Sequence, residues 1–181
     1  PRKRGSRKNS VDSHFHGNDK RLRDSSADAI SAFGITIALM LFDSHTHLNF
    51  SVFAENYQEI IADCLKKEIG VVNIGSQFDT SKRAAEIAAE FSHDPVYASI
   101  GLHPIHISGT ETDEEEIKFK GREEIFDEEK YQKLITDDKN NKIVAVGEIG
   151  LDYFHVPTDK NITEIKEKQK EGFVAQLNFA V

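Results

Sequence analysis

Residues 143–153 read IVAVGEIGLDY, a short apolar run rich in branched side chains that leads into polar residues. Such a run is typical of a strand buried on both faces, and we therefore predict a strand at Ile143–Ile149. Glu148 stands near its end between Gly147 and Gly150, which permit a close approach of the backbone. A buried carboxylate is costly unless a cation or a proton offsets its charge, so we expect a tight site with a positive charge at this strand end.

The same kind of apolar run occurs three times earlier in the chain, and helical patterns separate the runs. The earlier strands are expected at Leu39–Asp43, Gly70–Ile74 and Val96–Gly101. Four helices are indicated by residues at helical spacing: Tyr57, Ile60, Ile61, Cys64 and Leu65; Ala84, Ile87, Ala88 and Phe91; Tyr131, Leu134 and Ile135; and Ile162, Ile165, Gln169, Phe173 and Leu177. Strands that alternate with helices form a parallel sheet through right-handed crossovers. The fold class is therefore α/β, and both an open doubly wound sheet and a (β/α)8 barrel fit the pattern.

Two local features add to this pattern. Asp79 is the predicted N-cap of the second helix. The acidic stretch Glu111–Glu129 interrupts the third unit, and we expect it to be a solvated long loop or an added helix.

The chain changes character near residue 40. Residues 1–39 hold eight basic and four acidic side chains, a balance of plus 4, whereas residues 40–181 hold 15 basic against 27 acidic, or minus 12. The first part is rich in Ser, Asn and Gly without a hydrophobic period, so residues 1–39 are predicted to be a disordered basic extension. Met40 is the only methionine, and we interpret it as the natural start of the protein. A secretory signal and an electrostatic contact with nucleic acid are the alternatives for the extension.

Composition bounds the function of the whole chain. Its 181 residues carry 23 basic and 31 acidic side chains, a formal charge of minus 8, which excludes a wholly basic nucleic-acid coat. No apolar run reaches the roughly 18 residues that cross a bilayer, so no membrane partner is predicted. Cys64 is the only cysteine and is expected in the core, which suits a reducing cytosol, and we predict a cytoplasmic protein.

Histidines stand where the first and third predicted strands end. Because side chains alternate along a strand, His45 and His47 should point to the same side and reach one cation. Two neutral imidazoles suit Zn, Mn, Fe or Ni, and hydrogen-bonded core histidines are the alternative. His103 ends the third strand, and the carboxyl ends of parallel strands lie at one edge of a sheet, where Glu148 is also expected.

These residues carry a family resemblance. DSHTHL, IGLHP, VGEIGLDY and KQKEGFVAQLNFA occur in the order and spacing of TatD-like metal-dependent deoxyribonucleases, and Met40–Val181 resembles that family throughout. The resemblance implies an amidohydrolase-type (β/α)8 TIM-type barrel. It implies metal ligands at His45 and His47, and a carboxylate at Glu148 that two divalent metal ions share. His103 is similar to the family's third-strand histidine near the substrate phosphate, and we take it as a catalytic candidate.

Asp43 and Asp152 lie at the ends of the first and fourth strands and are candidates for supporting the ligands. Asn49 departs from the acidic residue that often follows the H-x-H block in the family. From Met40 the chain has 142 residues and four β/α units, whereas a complete barrel needs about 250 residues and eight. We therefore expect the N-terminal half of such a barrel, which is incomplete and inactive alone.

The function implied by the resemblance is hydrolysis of DNA phosphodiester bonds by a metal-activated water, with two divalent ions of which Zn, Mg and Mn are candidates. The charge of residues 40–181 predicts action on single strands or ends, because an acidic surface has no general affinity for duplex. No stable protein partner is inferred.

Other functions stay open at this point. One is a related hydrolase of C–N, ester or phosphotriester bonds, although many of those place a carboxylated lysine on the fourth strand, where this chain has Glu148 and no lysine within residues 147–153. A histidinol-phosphatase-like phosphoesterase shares only the H-x-H. The alternative that is not an enzyme is a catalytically inert metal-binding half-barrel that pairs with another half.

Overall fold

A computed structural model describes residues 40–108, 123–156 and 161–181. The basic extension at 1–39 and residues 111–122 of the acidic stretch lie outside the described residues. The described part alternates strands and helices as expected. The strands are β1 (Leu41–Thr46), β2 (Ile69–Ile74), β3 (Val96–Ile100) and β4 (Ile143–Val146). The helices are α1 (Tyr57–Lys66), α2 (Phe78–Glu90), α3 (Pro104–Ser108), α4 (Glu128–Asp137) and α5 (Ile162–Phe179), and a 3-10 turn spans Ser51–Phe53.

The four strands form one parallel sheet in the order β1-β2-β3-β4. Asp43 pairs with Val71, and Ile100 pairs with Val146. A doubly wound sheet reverses its strand order at a switch point, whereas consecutive parallel neighbours are the arrangement of a (β/α)8 barrel. The predicted α/β class is confirmed, and the sequential order is consistent with part of a TIM-type barrel.

The expectation that every strand is buried on both faces is wrong for β1 and β4. Leu41 is 68% exposed and Val144 is 54% exposed. β1 and β4 are the outer strands of the described sheet, and they lack the second neighbour that covers β2 and β3. The main core lies instead between the sheet and helices α1 and α2, where the buried residues are Leu48, Tyr57, Ile61, Val71, Ile87 and Val96. Cys64 packs against this cluster, as predicted.

Helix α5 buries the middle of the predicted apolar stripe but not its two ends. Leu177 and Ile162 are exposed, whereas Ile165, Gln169 and Gln176 are buried. Two buried glutamines need hydrogen-bond partners, and they find them in backbone groups of the loops that follow β3 and β4. Those partners decide which face of α5 turns inward. Among the described residues, no helix has the length and apolar character to cross a bilayer.

Helix α2 begins one residue before the predicted N-cap, because a capping box closes its first turn. Gln77 is the N-cap, and Asp79 lies inside the first turn, where its negative charge interacts favourably with the positive end of the helix dipole. Thr80 Oγ1 accepts hydrogen bonds from the backbone N–H groups of Ser76 at 2.9 Å and Gln77 at 3.0 Å. This turn carries the chain from the end of β2 into α2.

Replacing Thr80 with valine is expected to destabilise the fold by about 1–2 kcal/mol, because two buried N–H groups lose their acceptor while the side-chain volume is kept. Urea unfolding followed by circular dichroism measures the change. Thr136→Val is the matched control, since Thr136 is exposed on α4 and its hydroxyl donates to a helix carbonyl that keeps its backbone bond. Equal stability of the two variants would contradict the role of Thr80.

Candidate metal centre

The end of β1 brings two imidazoles together. The ring centroids of His45 and His47 lie 5.0 Å apart in an edge-on arrangement. Between them, Thr46 turns its hydroxyl to Val72 O and Asn73 Oδ1 of the neighbouring strand. The alternation predicted for this strand end therefore holds, although the pairing register shifts between Asp43 and Thr46.

The surroundings of His47 favour a neutral imidazole that can donate a lone pair to a metal ion. Its Nδ1 lies 3.0 Å from the carbonyl oxygen of Ile74. A carbonyl only accepts hydrogen bonds, so Nδ1 carries the ring proton and Nε2 keeps its lone pair. The ring stacks on Phe50, with centroids 4.4 Å apart. Burial lowers the pKa of His47 below its ordinary value, which favours the neutral form that a metal ion requires.

Asn49 supports the same carbonyl. Its Nδ2 donates to Ile74 O and to Thr80 O, both at 3.0 Å, and the side chain is buried. An amide can donate to two carbonyl oxygens, whereas an ionised carboxylate would face them with like partial charge. This environment gives a physical reason for Asn49 in place of an acidic residue.

Glu148 reaches these histidines because the backbone leaves the sheet ladder after β4. Gly147 N–H still donates to Ile100 O at 2.9 Å, but Glu148 N–H donates to Gly75 O, also at 2.9 Å, beyond the end of β2. A side chain at Gly101 would meet the Gly147 carbonyl carbon at 2.7 Å, so this crossing needs glycine there. Strand β4 therefore ends at Val146 and not at the predicted Ile149.

Three donors converge at the carboxyl end of the sheet. His45, His47 and Glu148 each present a ligand atom, and these atoms lie within 4.8 Å of one another. Two ligands about 2.1 Å from one ion can be at most about 4.2 Å apart. The 3.8 Å between His45 Nε2 and Glu148 Oε2 fits that limit, and a small side-chain rotation would bring in the remaining donor. The residues present therefore fit a divalent ion.

The expected burial of the carboxylate is wrong in degree. The side chain of Glu148 is 33% exposed and that of His45 is 56% exposed, because both lie on the open end of the sheet at its outer strands. Burial alone therefore does not demand a counter-charge at Glu148. The argument for a cation depends on the donor geometry instead.

His103 faces the opposite oxygen of the same carboxylate. Its Nε2 lies 3.7 Å from Glu148 Oε1, while its Nδ1 accepts the Ile105 N–H at 3.2 Å. In the neutral ring the proton is then on Nε2, so this atom is a donor and not a metal ligand. Burial lowers the pKa of His103, although the charges of Glu148 and Asp152 oppose the shift. His47 and His103 thus offer the site opposite tautomers.

Of the two supporting candidates, Asp43 bonds directly to a candidate ligand residue, whereas Asp152 bonds to residues of the loop after β4. Asp43 Oδ1 accepts the backbone N–H of His45 at 3.2 Å, and Asp43 is exposed. Asp152 directs its carboxylate to the His155 ring and to the N–H groups of Phe154 and His155. Burial raises the pKa of Asp152, but the hydrogen bonds that His155 donates to its carboxylate outweigh this effect and the pKa is lowered. Asp152 therefore stabilises the loop after β4.

Sequence reasoning missed Asn49, Gln169 and Gln176 as parts of the site's support. Gln169 had a visible signal, because it is a polar residue inside a predicted apolar stripe. The other two show no local signal, since their partners are backbone groups far away in the sequence.

A parallel sheet whose carboxyl end gathers two imidazoles and a carboxylate defines an α/β protein with a candidate metal centre at that end. Residues 42–181 match the model of the family described as TatD related DNase, and the chain belongs to this family. The resemblance read from the sequence motifs is thereby confirmed.

Three relatives agree with this assignment. The uncharacterized metal-dependent hydrolase YabD of Bacillus subtilis is 34% identical over 143 residues, which cover 78% of this chain and 46% of the relative. The uncharacterized metal-dependent hydrolase MJ1582 of Methanocaldococcus jannaschii is 30% identical, over 76% of this chain and 45% of the relative. The 3'-5' ssDNA/RNA exonuclease TatD of Yersinia pseudotuberculosis is also 30% identical, over 77% and 45%. The chain spans about half the length of these curated relatives.

Proposed function

We propose that His45, His47 and Glu148 hold divalent metal in a hydrolase that cleaves the phosphodiester bonds of DNA, at single strands or ends. The observation that carries the proposal is the convergence of these three donors within 4.8 Å at the carboxyl end of the sheet. Glu148 offers one oxygen toward His45 and the other toward His103, so the carboxylate lies between the imidazole pair and the proposed phosphate contact. Zn, Mg and Mn are the candidate metals.

Bound divalent ions would supply positive charge to the phosphoryl oxygens and lower the pKa of a water molecule. The protein's own contribution is to fix the donors before substrate arrives. The Ile74 carbonyl holds the proton of His47 on Nδ1, and Asn49 holds that carbonyl in place. The neutral imidazole is therefore available without a proton having to leave it first.

His103 is proposed to contact the substrate phosphate. Its Nε2–H points toward Glu148 Oε1, at 3.7 Å, a gap longer than a hydrogen bond. A phosphate oxygen is a better acceptor for this proton than a distant carboxylate, and the charge-assisted bond would orient the substrate beside the ligand group. The Ile105 N–H keeps the ring in the tautomer that donates.

The substrate class comes from the family and from charge. The family is described as TatD related DNase, and one relative is named as a 3'-5' ssDNA/RNA exonuclease. Residues 40–181 carry a formal charge of minus 12, so binding to nucleic acid must be local rather than spread over the surface. A strand end or a single strand can enter such a local site, and this favours an exonuclease-like action. A cytoplasmic location stays a prediction.

Binding of a fluorescent single-stranded thymidine oligonucleotide, measured by anisotropy with Mn²⁺ and with EDTA, tests this proposal without requiring turnover. We expect binding that depends on Mn²⁺ and that is weaker for duplex of the same length. His103→Ala should weaken it by about tenfold, the value of one hydrogen bond to a charged group. His93→Ala, at an exposed histidine, is the control. Binding that is equally strong in EDTA would refute the proposal.

A further inference from the structure

Two glutamines on α5 make the same unusual contact with two different loops. Gln176 Oε1 accepts the N–H of Leu102 at 2.6 Å, and its Nε2 donates to the carbonyl of the same residue at 3.0 Å. Gln169 repeats the pattern on Asp152, with 3.0 Å to the N–H and 2.9 Å to the carbonyl. Each side-chain amide thus makes the pair of hydrogen bonds, one to an N–H and one to a carbonyl, that the backbone of a neighbouring strand would make. We call Gln169 and Gln176 the glutamine clamp.

The clamped loops are the ones that carry the candidate chemistry. Leu102 immediately precedes His103 and follows β3, and Asp152 lies four residues after Glu148 and follows β4. Both strands end before these residues, so the sheet ladder no longer fixes them. The His103 N–H donates to Ser76 O at 2.7 Å, and the glutamine clamp adds the bonds that tie both loops to one helix, α5.

The short helix α3, which begins directly after His103, is held at both ends. Gln176 binds the chain two residues before Pro104, and Gln169 Nε2 donates to Ser108 Oγ at 2.8 Å at the other end. Between the two glutamines, a side chain at Gly172 would come within 2.5 Å of Ile107 Cδ1, so α3 lies close against α5. Gln169, Gly172 and Gln176 share one face of α5, at spacings of three and four residues.

We infer that the glutamine clamp positions His103 relative to Glu148. Gln169 and Gln176 are 1% and 0% exposed, and Gln176 satisfies the peptide groups of the fully buried Leu102, while Gln169 satisfies those of the half-buried Asp152. A contact that is made twice, to the residue before His103 and to the end of its helix, fixes the ring within the fraction of an ångström that a substrate contact needs. Only the purpose of this placement, contact with a phosphate, rests on the proposed function.

Gln176→Met removes both hydrogen bonds to Leu102 and keeps the side-chain volume. The variant is expected to fold, because Ser81 and Tyr131 hold the preceding Gly101 independently. In the metal-free protein, the imidazole NMR signals of His103 should shift and broaden, while those of His45 and His47 stay unchanged. A purely structural role would lower the unfolding temperature without changing the native signals of one histidine. Gln132→Met, at an exposed glutamine on α4, is the matched control.

The same variant should weaken binding of the thymidine oligonucleotide by about tenfold while the Kd for Mn²⁺ changes by less than about twofold. Wild-type His103 signals in folded Gln176→Met overturn the inference. If that variant does not fold, Ser108→Ala removes one arm of the clamp, and unchanged His103 signals there overturn the inference as well. Failure of the wild type to bind Mn²⁺ or oligonucleotide counts against the proposed function alone, because the His103 signals still test the clamp.

Discussion

Replacing both His45 and His47 with alanine is expected to weaken Mn²⁺ binding by more than about a hundredfold, because loss of indirect partners alone costs 10–100-fold at protein metal sites. The two rings supply two of the three donors that lie within 4.8 Å, and the remaining Glu148 would be a single, partly exposed carboxylate. Isothermal titration calorimetry at neutral pH measures the affinity, and elemental analysis of the purified protein measures the occupancy.

The control for this experiment is His93→Ala. His93 is exposed and lies on the turn after α2, so its loss removes an imidazole without touching the candidate centre. The Mn²⁺ affinity of Glu148→Gln should lie between those of His93→Ala and the double variant, since an amide oxygen keeps the position of one donor but loses its charge. Equal Mn²⁺ occupancy in the wild type and the double variant would show that the metal is bound elsewhere.

The predictable part of the site followed from local periodicity. Alternation along one strand brings His45 and His47 together, and the carboxyl ends of parallel strands bring His103 to the same edge. Both steps depend only on side-chain direction and on strand parallelism, which apolar runs and helical spacing reveal. The sequential strand order needed the structure, because two α/β architectures share the same pattern.

The path of Glu148 could not be read from the sequence. Its backbone N–H bonds to Gly75, far from it in the chain, and this bond turns the carboxylate toward His45. The predicted burial of Glu148 was wrong because periodicity reports the apolar character of β4 and not its place at the outside of the described sheet. Gln176 was hidden for a similar reason, since a polar residue that bonds to distant backbone leaves no periodic trace, whereas Gln169 was visible only as a polar residue inside an apolar stripe.

His106 should make the fold strongly sensitive to acid. It lies in α3 with 1% of its surface exposed, and burial, aided by the charge of His103, lowers its pKa from 6.5 to about 4. Between these two pH values the unfolded chain binds a proton at His106 that the folded chain excludes. The stability contribution is therefore complete above about pH 6.5 and is lost as the pH falls toward 4. The full loss is about 3 kcal/mol.

The change that isolates this effect is His106→Gln, which keeps a polar side chain but cannot titrate. Urea unfolding in EDTA, from pH 7 to pH 4, should show that the wild type loses about 3 kcal/mol more than the variant. The comparison between wild type and variant is needed because the lowered pKa values of His47 and His103 also make stability fall with pH, and they do so equally in both proteins. His93→Gln should leave the wild-type slope unchanged. Parallel pH curves for wild type and His106→Gln would mean that the buried ring is protonated in the folded state, and then α3 must open to water when the pH falls.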